Sequence, residues 1–307
     1  MQNFTLKQLR YVEAAGRLGS IASAACELSI SQSSITAAIE ALEVGLGYDL
    51  FIRTPSKGIR PTPQGTQSLV LIRRFLQQAR NFQTEIQSVA GTARGTLRIA
   101  CYVTAAPSFL PIILRSVTER FPGLSITVLE GSLSAIVDFV NEGEADLAFT
   151  YDIFKDAKHR FYPLFSPPPF AIVSNDDPIA NAGKTSLAEL SERPLVMLDL
   201  PGARDYYNDM FQRAGLDPEI AHTTRSSEIL RALVAGGFGV AMLNIRPLDY
   251  REAESGYRIV PILDGAPATP FGIAIGNTTG VPKMIRAFIE NCLELSRDGA
   301  FDHLVVS

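Results

Sequence analysis

Cysteine and histidine are scarce in this chain of 307 residues, with three of each. Cys26, Cys101 and Cys292 lie far apart and are odd in number, giving neither a disulfide framework nor a CxxC metal pair. His159, His222 and His303 are equally scattered, so no metal and no other cofactor is expected. No apolar run reaches the ~18–20 residues that a membrane helix needs. Met1-Gln2-Asn3-Phe4-Thr5 lacks the basic and then apolar stretches that open a secretory signal. These absences give the expectation of a cytoplasmic protein with no membrane partner. Gly-x-Ser-x-Gly elbows and P-loops are missing, and the histidines have no nucleophile signature beside them. Catalysis is the weakest reading.

What is present is enough apolar residue for sizeable cores: 46% of the chain is hydrophobic, consistent with two or three domains. Charge is unevenly placed. Residues 1–94 hold ten of the 28 Lys and Arg and six of the 32 Asp and Glu, a net charge of +4. The remaining 18 bases and 26 acids leave residues 95–307 at −8. A basic head on an acidic body confines attraction for a polyanion to the head.

The head carries helix-turn-helix grammar. Ser20-Ile21-Ala22-Ser23-Ala24-Ala25 reads as a small-residue helix whose alanines let a second helix cross closely. In that second helix Ile35, Ile39, Leu42 and Leu46 are spaced by four, three and four and form one core stripe. Ser31, Gln32, Ser33, Ser34 and Thr36 at its start are short hydrogen-bonding groups suited to base edges in a major groove. The pattern then changes to a short strand pair about the turn Thr54-Pro55-Ser56-Lys57-Gly58. Arg53, Lys57 and Arg60 surround that turn, so the hairpin can serve as a wing against phosphates. The expected partner is double-stranded DNA.

Six pieces occur in order at fixed spacing: Leu6-Lys7-Gln8-Leu9-Arg10-Tyr11, Gly19–Ala25, Ser31–Thr36, Leu42-Glu43 with Leu46-Gly47, Leu50–Thr54 and Arg60–Gly65. This run resembles the N-terminal signature of LysR-type transcriptional regulators. The sequence departs from the pattern at Ala37 and Ala38, where many members place an arginine in mid-helix. DNA affinity is therefore expected from the helix start and the hairpin.

Pro63 opens a long helix. Along it Leu69, Ile72, Leu76, Ala79, Gln83, Ile86 and Ala90 keep three-four spacing, with Phe75, Phe82 and Val89 widening the sector. A seam of that length argues pairing with a twin helix, the alternative being packing against its own body. In the resembled family this helix is a dimerising linker. Gly91-Thr92-Ala93-Arg94-Gly95 breaks it and reads as a hinge.

Beyond the hinge, strands at Thr96–Cys101, Ser125–Leu129 and Leu147–Thr150 alternate with helices at Pro107–Phe121 and Ser134–Asn141, which predicts a parallel, helix-covered sheet. A second set follows, with strands at Phe170–Val173, Leu195–Leu198 and Val240–Leu243 and helices near Tyr206–Ala214 and Ser227–Ala235. The strand Phe271–Ile275 and a helix striped by Val281, Ile285, Phe288, Cys292 and Leu295 close the chain, so Cys292 reads as core. Glu142–Ala148 and Gly237–Leu243, with Leu97–Ala100, Leu110-Pro111 and Arg120-Phe121-Pro122, resemble the family's regulatory domain, which is similar to periplasmic substrate-binding proteins. The expected fold is α/β and multidomain: a winged helix-turn-helix over 1–62, a dimerising helix over 63–90, a hinge at 91–94, and a Rossmann-like body. That body divides into subdomain I (95–166 and 267–307) and subdomain II (167–266).

Open α/β sheets bind ligands beyond the carboxyl ends of their strands. That rule selects Thr104, Ala105, Gly131, Ser132 and Thr150 in subdomain I, and Pro201, Arg204, Ser226 and Ser227 in subdomain II. The hydroxyls would donate hydrogen bonds, and Arg204 could fork onto a carboxylate. The duller reading is helix capping for the hydroxyls and an exposed loop charge for Arg204. Asp199 and Glu228 could face an ammonium, so a carboxylate or amino-acid-like metabolite is the expected effector. Cys101 has no partner cysteine nearby, and subdomain II lacks the reactive pair of the resembled peroxide sensors.

The resemblance implies a regulator that binds an interrupted inverted repeat as a homodimer or homotetramer, with RNA polymerase as a further partner. The alternative, a solute-binding protein of a transporter, shares the body but should carry a signal peptide and no helix-turn-helix.

Overall fold

The computed structural model describes residues 4–54, 58–89, 95–152, 159–265, 267–276 and 280–306. They form two compact units, a head with its long helix and an α/β body. Lys57, the hinge and Ala90 lie outside the described residues.

In the head, each short helix is fixed by its own ends. Helix α1 (Leu6–Leu18) starts at Thr5, whose Oγ1 accepts the Gln8 amide at 3.2 Å while Gln8 Oε1 accepts the Thr5 amide at 3.0 Å. This capping box satisfies two otherwise open donors. Gly19, in the left-handed region at φ 61°, ends it. Ser20 caps α2 (Ile21–Glu27), and Ser31 caps α3 (Gln32–Leu46). Strands β1 (Phe51–Thr54) and β2 (Gly58–Pro61) form the antiparallel hairpin, and α4 (Pro63–Val89) follows. Leu9, Val12, Ala24, Ala25, Ile35, Ile39 and Leu42 pack into one core with Leu50, Phe51 and Ile59.

Three residues of the expected dimer seam belong to that core. Leu69, Ile72 and Leu76 are buried against the head, at 3, 8 and 5% exposure. The exposed apolar face of α4 instead runs through Leu71, Phe75, Phe82 and Ile86, each more than half exposed. The seam read from the sequence merges two faces of one helix. Apolar residues at 69, 72 and 76 and at 71, 75, 82 and 86 both fit helical spacing, so periodicity alone cannot assign them to separate partners.

The body is built from β3 (Gly95–Tyr102), α5 (Ala106–Arg120), β4 (Leu124–Gly131), α6 (Leu133–Asn141), β5 (Leu147–Tyr151) and β6 (His159–Phe165). Then come β7 (Phe170–Ser174), α7 (Ile179–Ala182), α8 (Leu187–Ser191), β8 (Leu195–Leu198), α9 (Ala203–Arg213) and β9 (Ile220–Thr224). Helix α10 (Ser227–Ala235), β10 (Ala241–Leu243), β11 (Tyr257–Pro261), β12 (Phe271–Gly276) and α11 (Lys283–Arg297) complete it.

The first sheet has the order β4-β3-β5-β12-β6. Its first three strands are parallel, as the βαβαβ rhythm requires, but β12 is antiparallel to both β5 and β6. The expected all-parallel sheet is thus mixed, because β12 returns from the second sheet instead of following a crossover helix. In the second sheet β7 is antiparallel to β10 and β11, while β8 and β9 pair in parallel. Val196 N to Val240 O, at 2.8 Å, stitches the β8 pair to the strand that continues as β10. The chain passes from the first sheet to the second between Phe165 and Phe170 and returns between Pro261 and Phe271. Thr269, on the return passage, lines a cavity together with residues that follow β3 and β8.

Candidate functional site

Helix α3 presents its first turn to solvent. Ser31, Gln32, Ser33 and Ser34 are exposed and Thr36 half-buried, whereas Ile35, Ala38 and Ile39 face the core. The three serines share hydrogen bonds: Ser31 Oγ lies 2.8 Å from both Ser33 Oγ and Ser34 Oγ, and it accepts the Ser34 amide at 3.2 Å. The Gln32 side chain makes none among the described residues. Ala37 is exposed on the same helix, so a close approach there meets only a methyl group.

The hairpin is tied to α3 through Glu43, whose Oε1 accepts the amides of Leu50 at 2.7 Å and Phe51 at 3.1 Å. Strand register places Arg53 opposite Ile59 and Arg60 opposite Ile52. Side chains alternate along a strand, so the two arginines leave opposite faces of the ribbon. Arg53 pairs with Glu40 of α3 at 3.2 Å, while Arg60 is exposed and forms no ion pair among the described residues.

In the body, a cavity of about 160 Å³ opens where β3, β5 and α9 meet the turn after β10. That is room for on the order of ten waters, a small organic molecule. Of the sequence candidates, Thr104 and Ala105 line it. Thr104 also borders an adjoining hollow of about 320 Å³ together with Ser227, Ser108 and Arg231. The other candidates are placed elsewhere. Thr150 is fully buried with Oγ1 unpartnered, and Tyr151 lines the cavity in its stead. A one-residue step along a strand reverses the face, which is why the strand-end rule landed beside the lining residue. Ser132 caps α6, accepting the Ala135 amide at 3.4 Å, and Ser226 caps α10, accepting the Ile229 amide at 3.3 Å. Gly131 is needed for close packing, since a Cβ there would meet the Ala135 side chain at 2.9 Å. Pro201 is exposed.

Arg204 is the main departure. It is about half exposed and pairs with Asp199 at 3.0 Å, away from the lining. On α9 the cavity is met by Ala203, Tyr206 and Tyr207, which share a helix face that position 204 does not.

The residues the sequence reading missed are the tyrosines and an asparagine. Tyr102, Tyr151, Tyr206 and Tyr207 line the cavity with Asn244. Tyr207 donates to Asn244 Oδ1 at 2.8 Å, and Asn244 Nδ2 donates to Tyr206 Oη at 3.2 Å and to Pro167 O at 3.4 Å. Burial pushes the hydroxyls of Tyr151 and Tyr207 well above the usual phenol range. Those of Tyr102 and Tyr206 are raised for the same reason, offset in part by hydrogen bonds with Thr104 and Asn244. All four stay protonated at neutral pH. The adjacency of Tyr206 and Tyr207 was the available signal, since their placement just inside a helix after a strand is where ligands gather.

Cys101 is fully buried, its thiol pushed up to about 12 by burial and by Glu130 across the β3–β4 pair. Cys292 is likewise buried and its thiol raised. Among the described residues no group of His, Cys, Asp and Glu is arranged to hold a metal, and no helix is long and apolar enough to cross a membrane.

Comparison with known proteins matches both parts of the chain. Residues 6–66 match the bacterial regulatory helix-turn-helix proteins of the lysR family, and residues 90–297 match the LysR substrate binding domain. The HTH-type transcriptional regulator CysB of Burkholderia cenocepacia is 28% identical over 260 residues, covering 84% of this chain and 83% of its own. HinK, a LysR family transcriptional regulator from Pseudomonas aeruginosa, is 28% identical with a TM-score of 0.61, covering 95% of this chain and 98% of its own. A full-length OxyR from the same organism shares the fold, with a TM-score of 0.72 at 22% identity over 95% of this chain and 98% of its own. The solute-binding-protein alternative gains no support from these relatives. With its helix-turn-helix head and effector-binding body both matched, the chain belongs to the LysR family of DNA-binding transcriptional regulators.

Proposed function

We propose that this regulator grips a two-fold operator as a homodimer and is switched by a small organic molecule held in the tyrosine-lined cavity. The division of labour follows the chain: residues 1–62 read DNA, 63–90 pair with a second copy, 91–94 act as hinge, and the two halves of the body, 95–166 with 267–307 and 167–266, close on the ligand. The observation that carries the DNA reading is the open first turn of α3, with Gln32 uncommitted beside three serines and Thr36. Such short polar groups suit base edges, while Arg60, and Arg53 once released from Glu40, suit phosphates. Lys57 is assigned to the phosphates with them.

Pairing is assigned to the exposed face of α4 through Leu71, Phe75, Phe82 and Ile86. Two heads joined this way meet an interrupted inverted repeat, because operator symmetry mirrors protein symmetry. Joining of dimers into a tetramer and contact with RNA polymerase extend the same reading. The effector acts by binding one arrangement of the body more tightly than another, which is the only way a ligand shifts such an equilibrium.

Operator selection from random DNA, followed by footprinting, tests this reading. A protected site of two similar half-sites is expected for the wild type, and a Phe75→Asp/Phe82→Asp variant should lose the two-half-site footprint while its head stays folded. A single unrepeated half-site bound equally by both proteins would refute the dimer reading.

A further inference from the structure

We infer that the effector is an uncharged molecule with a hydrogen-bond acceptor and a flat ring, held by phenol hydroxyls and ring edges instead of an ion pair. This rests on the reading of the tyrosine-lined cavity as the effector site.

The first observation is electrostatic. No Asp, Glu, Lys, Arg or His lines the cavity among the described residues. Arg204, the guanidinium on which a carboxylate ligand would depend, is engaged by Asp199 outside it. Arg231 in the adjoining hollow is engaged by Asp249 at 3.3 Å and by Tyr257 Oη at 3.4 Å. A carboxylate enclosed here would have no counter-ion, and an ammonium no carboxylate. Either charge would lose its hydration without repayment.

Helix starts can replace a cation, but these two are largely closed. On α9 the amides of Ala203 and Arg204 both turn back to Leu200 O at 3.1 Å, and Asp205 sits in the first turn against the positive end of the helix. On α5 Pro107 has no N–H to give, and the Ser108 amide bonds Ala105 O at 3.0 Å.

What the cavity does offer is neutral donors and ring edges. The Tyr206 oxygen accepts from Asn244, which leaves its own O–H unspent. The Tyr151 hydroxyl forms no hydrogen bond among the described residues, and Tyr151 lines the same cavity as Tyr206. The rings already meet edge to face: Tyr102 with Tyr151 at 6.0 Å, Tyr206 with Tyr207 at 5.1 Å, and Tyr151 with Phe271 at 5.2 Å between centroids. A flat ring between them continues that array. A carbonyl or ether oxygen on it takes the two free phenol protons. Because burial keeps these phenols protonated, no phenolate forms to attract a cation.

Sets that share one ring and carry a neutral, anionic or cationic head group test this with the full chain. Benzamide, benzoate and benzylamine, and the same three head groups on a phenylethyl and a phenylpropyl skeleton, are titrated calorimetrically at pH 7 into the wild type, Tyr206→Phe and Tyr151→Phe. In at least one set the amide should bind about tenfold or more tightly than both charged partners, and lose roughly three- to tenfold in either phenylalanine variant. Tighter binding of the acid or the amine, weakened by the same variants, would overturn the uncharged class while leaving the cavity as the effector site. No binding that depends on Tyr206 or Tyr151 in any set would overturn both. Each tyrosine variant deletes one oxygen, so circular dichroism should report an unchanged fold.

Discussion

At the scale of single residues, burial decides which side chains can react. Cys26 is exposed, whereas Cys101 and Cys292 are buried and their thiols raised. The thiolate is the reactive form, so native protein should give one fast thiol with Ellman's reagent and three after denaturation. Rapid reaction of Cys101 in the native state would contradict its place in β3. The cavity tyrosines set a pH dependence of stability. Their folded-state pKa values lie above the ~10 of an unfolded phenol, so the unfolded chain sheds these protons first as pH rises. Stability from Tyr151 and Tyr207 is therefore complete below about pH 10 and declines above it. Urea midpoints measured between pH 9 and 11 should fall, and fall less steeply in Tyr151→Phe. This level was the least legible in the sequence. Strand ends could be located, but which of Thr150 and Tyr151, or of Arg204 and Tyr206, faces the cavity depends on a one-residue phase that only packing fixes.

At the scale of elements, α4 carries the sharpest contrast. Ile72 belongs to the head core and Phe75 to the exposed face three residues on. Ile72→Asp buries an unpaired charge and should cost several kcal/mol, seen as loss of the head's cooperative melting. Phe75→Asp with Phe82→Asp should leave that melting within about 0.5 kcal/mol of the wild type, as exposed positions do. The same double variant should sediment as a monomer. Arg53 and Glu40 give a second contrast: the exposed pair is worth at most about 1 kcal/mol to stability, yet on the proposed reading Arg53 must leave it to meet a phosphate. Glu40→Gln should therefore tighten binding to operator and random DNA alike, by filter binding at low salt. Failure to tighten would mean Arg53 does not face the backbone. Elements themselves were largely legible. The helix Ser227–Ala235 and the strand Leu195–Leu198 were read from the sequence with the bounds they have in the fold. Strands β6, β9 and β11 were not. His159–Phe165 and Ile220–Thr224 lack a clean apolar alternation because they sit at sheet edges, where few side chains are buried.

At the scale of the whole molecule, a head of net charge +4 and a body of −8 make DNA attraction a property of one part of the chain. Non-specific affinity then scales with the phosphates neutralised, and Arg60→Ala should lower the slope of log affinity against log salt by about 0.9 on any sequence. On the proposed reading specificity resides elsewhere, in the first turn of α3, where the exposed Gln32 side chain forms no hydrogen bond among the described residues. The most direct measurement compares Gln32→Ala with the wild type on the selected operator and on random DNA of equal length, at one salt concentration. A loss of about 1–3 kcal/mol on the operator with no change on random DNA is the expected result. An equal loss on both, or none on the operator, would contradict the claim that this turn reads the bases.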